Sequence, residues 1–246
     1  MAVLEHLEPK SVFRFFEELC AIPHGSSNTR QISDWLMTFA RERKLEAYQD
    51  ELNNVIMIKE ASPGYEHAAP VILQGHMDMV CEKTADCLKD MEKEGLDLAV
   101  EGDTIYAINT TLGGDDGIAV AMALAALDDD TLPHPRLEAV FTVDEEVGML
   151  GVSAIDLSML KGRTLINIDS EDEGIFTVSC AGGARGTIAL PLKRRAVYGP
   201  CIKLTVDGLQ GGHSGVEIHK GRANANMLMG RLLYGLSREM ALRLVE

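Results

Sequence analysis

The 246-residue sequence predicts an α/β sandwich with a mostly parallel central sheet, followed by the start of a smaller α+β domain. Three observations predict it. Short apolar β-like runs alternate with segments of helical period. Three of those runs lead straight into ionisable residues, as strands do at the ligand-binding rim of a parallel sheet. Beyond about Gly186 the alternation gives way to two strand-like runs, a Gly-rich turn and one helix.

In chain order, Val12, Phe15, Phe16 and Leu19 recur at helical spacing over residues 9–19. Ile32, Trp35, Leu36 and Phe39 do the same over 31–42, with Ser26, Ser27 and Asn28 available to start that second helix. Strands are predicted at 54–58, 71–74, 104–108, 137–143 and 165–168, with a helix over 118–127 and a short one near 153–160. Residues 81–96 are charged and lack period, which suggests an exposed connection. In the last segment, 187–192 and 202–206 read as strands, 208–215 as a Gly-rich turn and 223–236 as a helix. The sequence stops at Glu246 without Gly, Pro or a polar tail, so this smaller domain is expected to be incomplete.

Composition narrows the function. With 46% hydrophobic and 25% charged residues the chain is of the globular class. No apolar run reaches the ~18 residues of a membrane span, and the charged first residues do not resemble a signal peptide, so a soluble, cytoplasmic protein with no membrane partner is expected. Five cysteines, an odd number without a C-x-x-C pair, fit reduced thiols. A net charge of −15 would repel a phosphate backbone, which argues against nucleic acid. Gly212-His213-Ser214-Gly215 begins like a nucleophile elbow, but Val216 stands where the pattern needs glycine. Dinucleotide and P-loop glycine patterns are missing as well.

The chemistry collects at the strand ends. The run at 71–74 leads to His76 and Asp78, that at 137–143 to Asp144, Glu145 and Glu146, and that at 165–168 to Asp169. Asp115 and Asp116 follow two glycines just before the 118–127 helix. Such carboxylates, brought together, would either protonate or bind divalent cations, and a histidine among them favours zinc-like metals over calcium or magnesium. His76 and Asp78 lean to one side of an extended strand, so one can bind metal while the other accepts the remaining imidazole N–H. Of Glu145 and Glu146, one can hold metal while the other handles a water proton. Taken singly, Asp116 reads as a residue of the helix N-terminus, Asp144 as a solvated flank, His213 and His219 as exposed loop histidines, and His24 stays unassigned.

Six strings carry a family resemblance. They are Pro-Val-Ile-Leu-Gln-Gly-His-Met-Asp-Met-Val at 70–80, Thr-Thr-Leu-Gly-Gly-Asp-Asp-Gly at 110–117 and Thr-Val-Asp-Glu-Glu-Val-Gly at 142–148, with Asn-Ile-Asp-Ser-Glu-Asp-Glu-Gly at 167–174, Cys-Ala-Gly-Gly at 180–183 and Gly-Gly-His-Ser-Gly at 211–215. In order and spacing the chain resembles the N-terminal half of the aminoacyl-histidine dipeptidases, within the wider group of co-catalytic zinc aminopeptidases, carboxypeptidases and deacylases. The resemblance implies a zinc-peptidase-like three-layer sandwich over 1–185 and an incomplete inserted lid and dimerisation domain over 186–246. It also implies two Zn2+ ions, with Co2+ or Mn2+ as substitutes. His76 and Asp169 would hold one ion, Glu146 the other, and Asp115 would bridge them. Asp78 would orient His76, Glu145 would be the general base for a bridging hydroxide, and His213 would reach the opposite subunit's active site in a homodimer. Substrates would be dipeptides with a free amino terminus, including aminoacyl-histidine dipeptides. The resemblance departs at Asn109, where the family has glycine, and in length, since a distal histidine that completes the Glu146 site has no counterpart here. Two rival readings follow: a non-catalytic metal-binding fragment, with the second site incomplete, or a deacylase of N-acyl amino acids.

Overall fold

The computed structural model describes residues 2–170, 173–179, 182, 186–196, 198–212 and 217–245. Its larger unit, Met1–Cys180, is organised by two amphipathic helices. Helix α1 (Lys10–Cys20) buries Val12, Phe15, Phe16 and Leu19, and α2 (Arg30–Glu42) buries Ile32, Leu36 and Phe39. Both are the faces that the period of the sequence marks out. The N-terminal position of α2 falls to Thr29, whose side chain makes no capping bond. Ser26 and Ser27, expected to start this helix, are engaged elsewhere.

The sheet takes its strands from β1 (Glu46–Gln49), β2 (Val55–Lys59), β3 (Val71–His76), β6 (Leu137–Thr142) and β7 (Thr164–Asn167), in the order β1-β2-β6-β3-β7. The neighbours β6-β3 and β3-β7 are parallel, while β2 runs antiparallel to both β1 and β6. Four strands therefore point one way and β2 alone is reversed. Side chains alternate as the pleat requires. Val55, Met57, Leu137, Ala139 and Phe141 join α1, α2 and α3 (Gly114–Asp128) in the main core. Ile56, Ile58, Ile72 and Val140 face the other way and meet only Ile155, Met159 and Leu160.

Three expectations need correction in this unit. The run at 104–108 forms β5 (Thr104–Ala107), but it pairs with β4 (Leu98–Glu101) in a separate two-stranded ribbon. The helix near 153–160 is a series of turns. Ala154 and Ile155 N–H reach Gly151, Leu160 N–H reaches Leu157, and the Asp156 carboxylate takes the Ser158 N–H that a helix would need. The third concerns Asp116: the backbone of Asp115 (φ −83, ψ 106) and Asp116 (φ −118, ψ 27) is non-helical, so both acids sit ahead of the helical turns of α3.

The smaller unit, Ala181–Glu246, contains helix α4 (Ala225–Glu239) and a 3-10 turn at Ile218–Lys220. Asn224 caps α4 by accepting the Met227 N–H at 3.0 Å. Among the described residues of 187–192 and 202–206 there is no strand, contrary to expectation. Their alternation is real, but a strand persists only when a neighbour takes its N–H and C=O groups, and Ile188, Leu190 and Ile202 stand exposed instead.

Candidate metal centre

Because β6, β3 and β7 are adjacent and parallel, their carboxyl ends form one rim. His76 closes β3 opposite Thr142, the last residue of β6, and Met77 N–H bonds to the Thr142 carbonyl at 2.8 Å. The turn carrying Glu145 and Glu146 thereby leaves the sheet beside His76. Asp115 arrives from above on the Gly113 turn, which has φ +70 and packs so tightly on Met79 that a side chain at 113 would lie 2.8 Å from its sulfur. Gly75 performs a similar service from below: a Cβ there would come within 2.9 Å of both Asp116 Oδ2 and Ala119.

Two groups of donors result, and both use His76. Ligand atoms of His76, Asp115 and Glu146 lie within 4.8 Å of one another, as do those of His76, Asp116 and Asp169. His76 is 1% exposed. Its Nδ1 lies 2.9 Å from the main-chain carbonyl of Asp78, an atom that only accepts, so Nδ1 carries a hydrogen, and a ring that gave up its Nε2 proton to a cation would present that lone pair to the rim. Asp115 Oδ1 lies 3.0 Å from Nε2 and Glu145 Oε2 lies 4.0 Å from it. The Asp78 carboxylate is 3.5 Å from Nδ1, so its backbone makes the closer contact. Its Oδ1 also accepts the Glu145 N–H at 3.1 Å.

The electrostatics are those of a crowded anionic pocket. Burial opposes a charged imidazole, yet hydrogen bonds to Asp115 and Asp78 and the charges of Asp116 and Asp78 outweigh it and push His76 up to about 11. Burial, with the Asp169 and Asp115 charges, pushes Asp116 up to about 7 against the pull of His76. Glu145 and Glu146 are raised by burial and then by their carboxylate neighbours. Asp78 is held low: burial works against it, but bonds from His76, Ser26 and the Glu145 N–H prevail. One imidazole among carboxylates that ionise reluctantly fits a divalent cation of the zinc type, which would replace the proton on His76 as counter-charge.

The sequence-predicted residues His76, Asp78, Asp115, Glu145, Glu146 and Asp169 thus meet at one rim, with Asp115 and Asp169 in different donor groups. His213 lies outside the described residues. His219, also set down as a loop histidine, ends up in the 3-10 turn of the smaller unit. Sequence reasoning missed Asp116, whose adjacency to Asp115 was the available signal, and Ser26, for which helix capping gave the simpler account. Asp144, read as a solvated flank, is partly exposed and its Oδ1 accepts the Ser27 N–H at 2.6 Å.

No family model matches the chain. Across its whole length it is 40% identical to the cytosol non-specific dipeptidase of Escherichia coli (strain K12), covering 51% of that protein. A second relative, an uncharacterised protein of Bacillus subtilis (strain 168), is 25% identical over 69% of the chain. Among solved structures, the aminoacylhistidine dipeptidase of Vibrio alginolyticus superposes on 99% of the chain with a TM-score of 0.69 and 34% identity, and the match covers 50% of that structure. A tripeptidase of Staphylococcus aureus shares the fold, with a TM-score of 0.55 and 23% identity. The chain spans about half the length of the dipeptidases it matches.

Proposed function

From its whole-length kinship with dipeptidases, we propose that the chain carries the metal-binding part of a two-zinc dipeptidase that hydrolyses dipeptides with a free amino terminus, aminoacyl-histidine dipeptides among them. The observation that supports this is the meeting of His76, Asp115 and Glu146, from three separate segments, within 4.8 Å. In this reading His76, Asp115, Glu146 and Asp169 would hold two ions. Bound divalent ions supply Lewis acidity, which acidifies water toward neutral pH and polarises a peptide carbonyl. Glu145 is the proton carrier. Its carboxyl is raised by burial and by Asp169, Asp115 and Asp78, as suits a group that takes a proton from water and returns it to the leaving amine. Asp78 orients His76. A cytosolic homodimer, with His213 serving the partner's site, belongs to the same reading; light scattering tests the dimer.

No helix among the described residues is long and apolar enough to cross a membrane. A deacylase of N-acyl amino acids is the less favoured reading, because the similar proteins of Escherichia coli and Vibrio alginolyticus, at 40% and 34% identity, are both named dipeptidases.

The test is zinc uptake and hydrolysis of alanyl-histidine beside its N-acetylated form. The free dipeptide should be cleaved, chelation should abolish turnover and zinc should restore it. E145Q should lower kcat by about 10²- to 10⁴-fold while zinc still binds. A chain that takes up no zinc, or prefers the acetylated substrate, sinks the proposal.

A further inference from the structure

Ser26 is a polar residue beside the rim to which the proposed chemistry gives no task. Its hydroxyl donates to Asp78 Oδ2 at 2.8 Å. The other oxygen of that carboxylate receives the Glu145 N–H at 3.1 Å and stands 3.5 Å from His76 Nδ1. The Asp78 side chain is wholly buried, so its carboxylate oxygens need donors, and Ser26 supplies one to Oδ2. Rotation of that carboxylate would release the Glu145 N–H directly, and would disturb the residue whose main-chain carbonyl holds the imidazole.

The segment that presents the hydroxyl is fixed on several sides. Ser26 N–H bonds to the Met79 carbonyl at 3.1 Å, and Met79 N–H to the His24 carbonyl at 3.1 Å, forming a short parallel bridge between Gly25 and Met79. Buried His24, anchored through Nδ1 to the Ile22 carbonyl, has its Nε2 3.4 Å from where a Cβ on Gly113 would lie, on the turn that delivers Asp115. One residue later, Ser27 N–H holds Asp144 Oδ1 at 2.6 Å. The turn bearing Glu145 is therefore gripped on both sides by consecutive serines, through Asp144 directly and through Asp78 at one remove. Capping of α2 does not explain the pair, since α2 starts four residues after Ser26 with Thr29 at its N-terminal position.

We propose that Ser26 is a positioning residue of this centre, whose hydroxyl locks the Asp78 carboxylate so that one residue sets both the Glu145 backbone, through that carboxylate, and the His76 imidazole, through its main-chain carbonyl. The inference rests on the metal-centre reading for its consequence, and on the hydrogen bonds alone for its geometry. Partners that orient a ligand's imidazole typically govern metal affinity by about 10- to 100-fold, and a residue one bond further out belongs at the low end of that range.

The full chain is compared with S26A, S26C and S26T in two measurements. Zinc competition against a chromophoric chelator should show about tenfold weaker binding in S26A and S26C. In zinc-free protein, NMR should show the Glu145 amide proton shifted and exchanging faster in S26A and S26C. S26T, which keeps the hydroxyl at a half-buried position, should restore both. If S26A does not fold, S26C carries the same comparison. Unchanged zinc affinity together with an unchanged Glu145 amide in the folded variants overturns the inference. Wild-type chain that binds no zinc sinks the metal-centre reading, while the Glu145 amide still decides the Ser26 geometry.

Discussion

The two faces of the central sheet are built unequally. One lies under α1, α2 and α3 and buries Val55, Met57, Ala139 and Phe141 almost completely; the other is covered by the turns around Ile155, Met159 and Leu160. On the second face a polar device does part of the work. Glu138, 0% exposed on β6, accepts from Arg136 Nε at 2.7 Å and from the Lys161 and Gly162 N–H groups, tying the covering turns to the sheet just before β7. A strand rim can thus be held in place from one side by hydrophobic mass and from the other by a few directed bonds.

The largest expected effect tests that contrast directly. F141A, which empties a fully buried site on the helical face, should cost about 3–5 kcal/mol in urea unfolding, and V140A on the opposite face about 1–2 kcal/mol. Equal costs would break the comparison. Next comes E138Q, expected to cost about 3 kcal/mol because it leaves Arg136 and two backbone donors facing a weaker acceptor in a buried setting.

The same residue predicts a pH dependence. Burial favours the neutral acid, but Arg136 and the Lys161 and Gly162 amides prevail and hold the folded carboxyl below its usual range. Its contribution is therefore present above the unfolded value of about 4.3 and is lost as pH falls through the lower folded value. Urea midpoints between pH ~5 and ~2 should fall more steeply in wild type than in E138Q; parallel curves would show that Glu138 does not carry this linkage. In G75A the added methyl would meet Asp116 Oδ2 and Ala119 at 2.9 Å and should cost about 1–3 kcal/mol, with weakened zinc uptake as the second reading.

Much of this was legible in the sequence where one residue's environment follows from its neighbours in the chain. The apolar stripes of α1 and α2 and the strand cores at 55–59, 71–76 and 137–142 are local patterns, and the acids at their ends announce the rim. Strand β1, Glu-Ala-Tyr-Gln, was missed because it is a half-exposed edge strand held by pairing with β2, not by its own hydrophobicity. The strands expected at 187–192 and 202–206 failed for the complementary reason: alternation without a partner. At the rim, ligand types were readable, but their pairing was not. That Asp116 joins Asp169 while Asp115 joins Glu146, and that Ser26 serves Asp78 and not a helix end, depends on which atoms the folded backbone brings within 3 or 4 Å.

Strand β7 closes the sheet at one margin, bonded to β3 and with Leu165 and Ile166 about half exposed. Among the described residues of the larger unit no strand pairs with its outer row of amides and carbonyls, which is a template onto which an extended chain can zip. Handled alone at high concentration, the protein should lose material by edge-to-edge accretion, and a lysine placed at Leu165 would act as a gatekeeper against it.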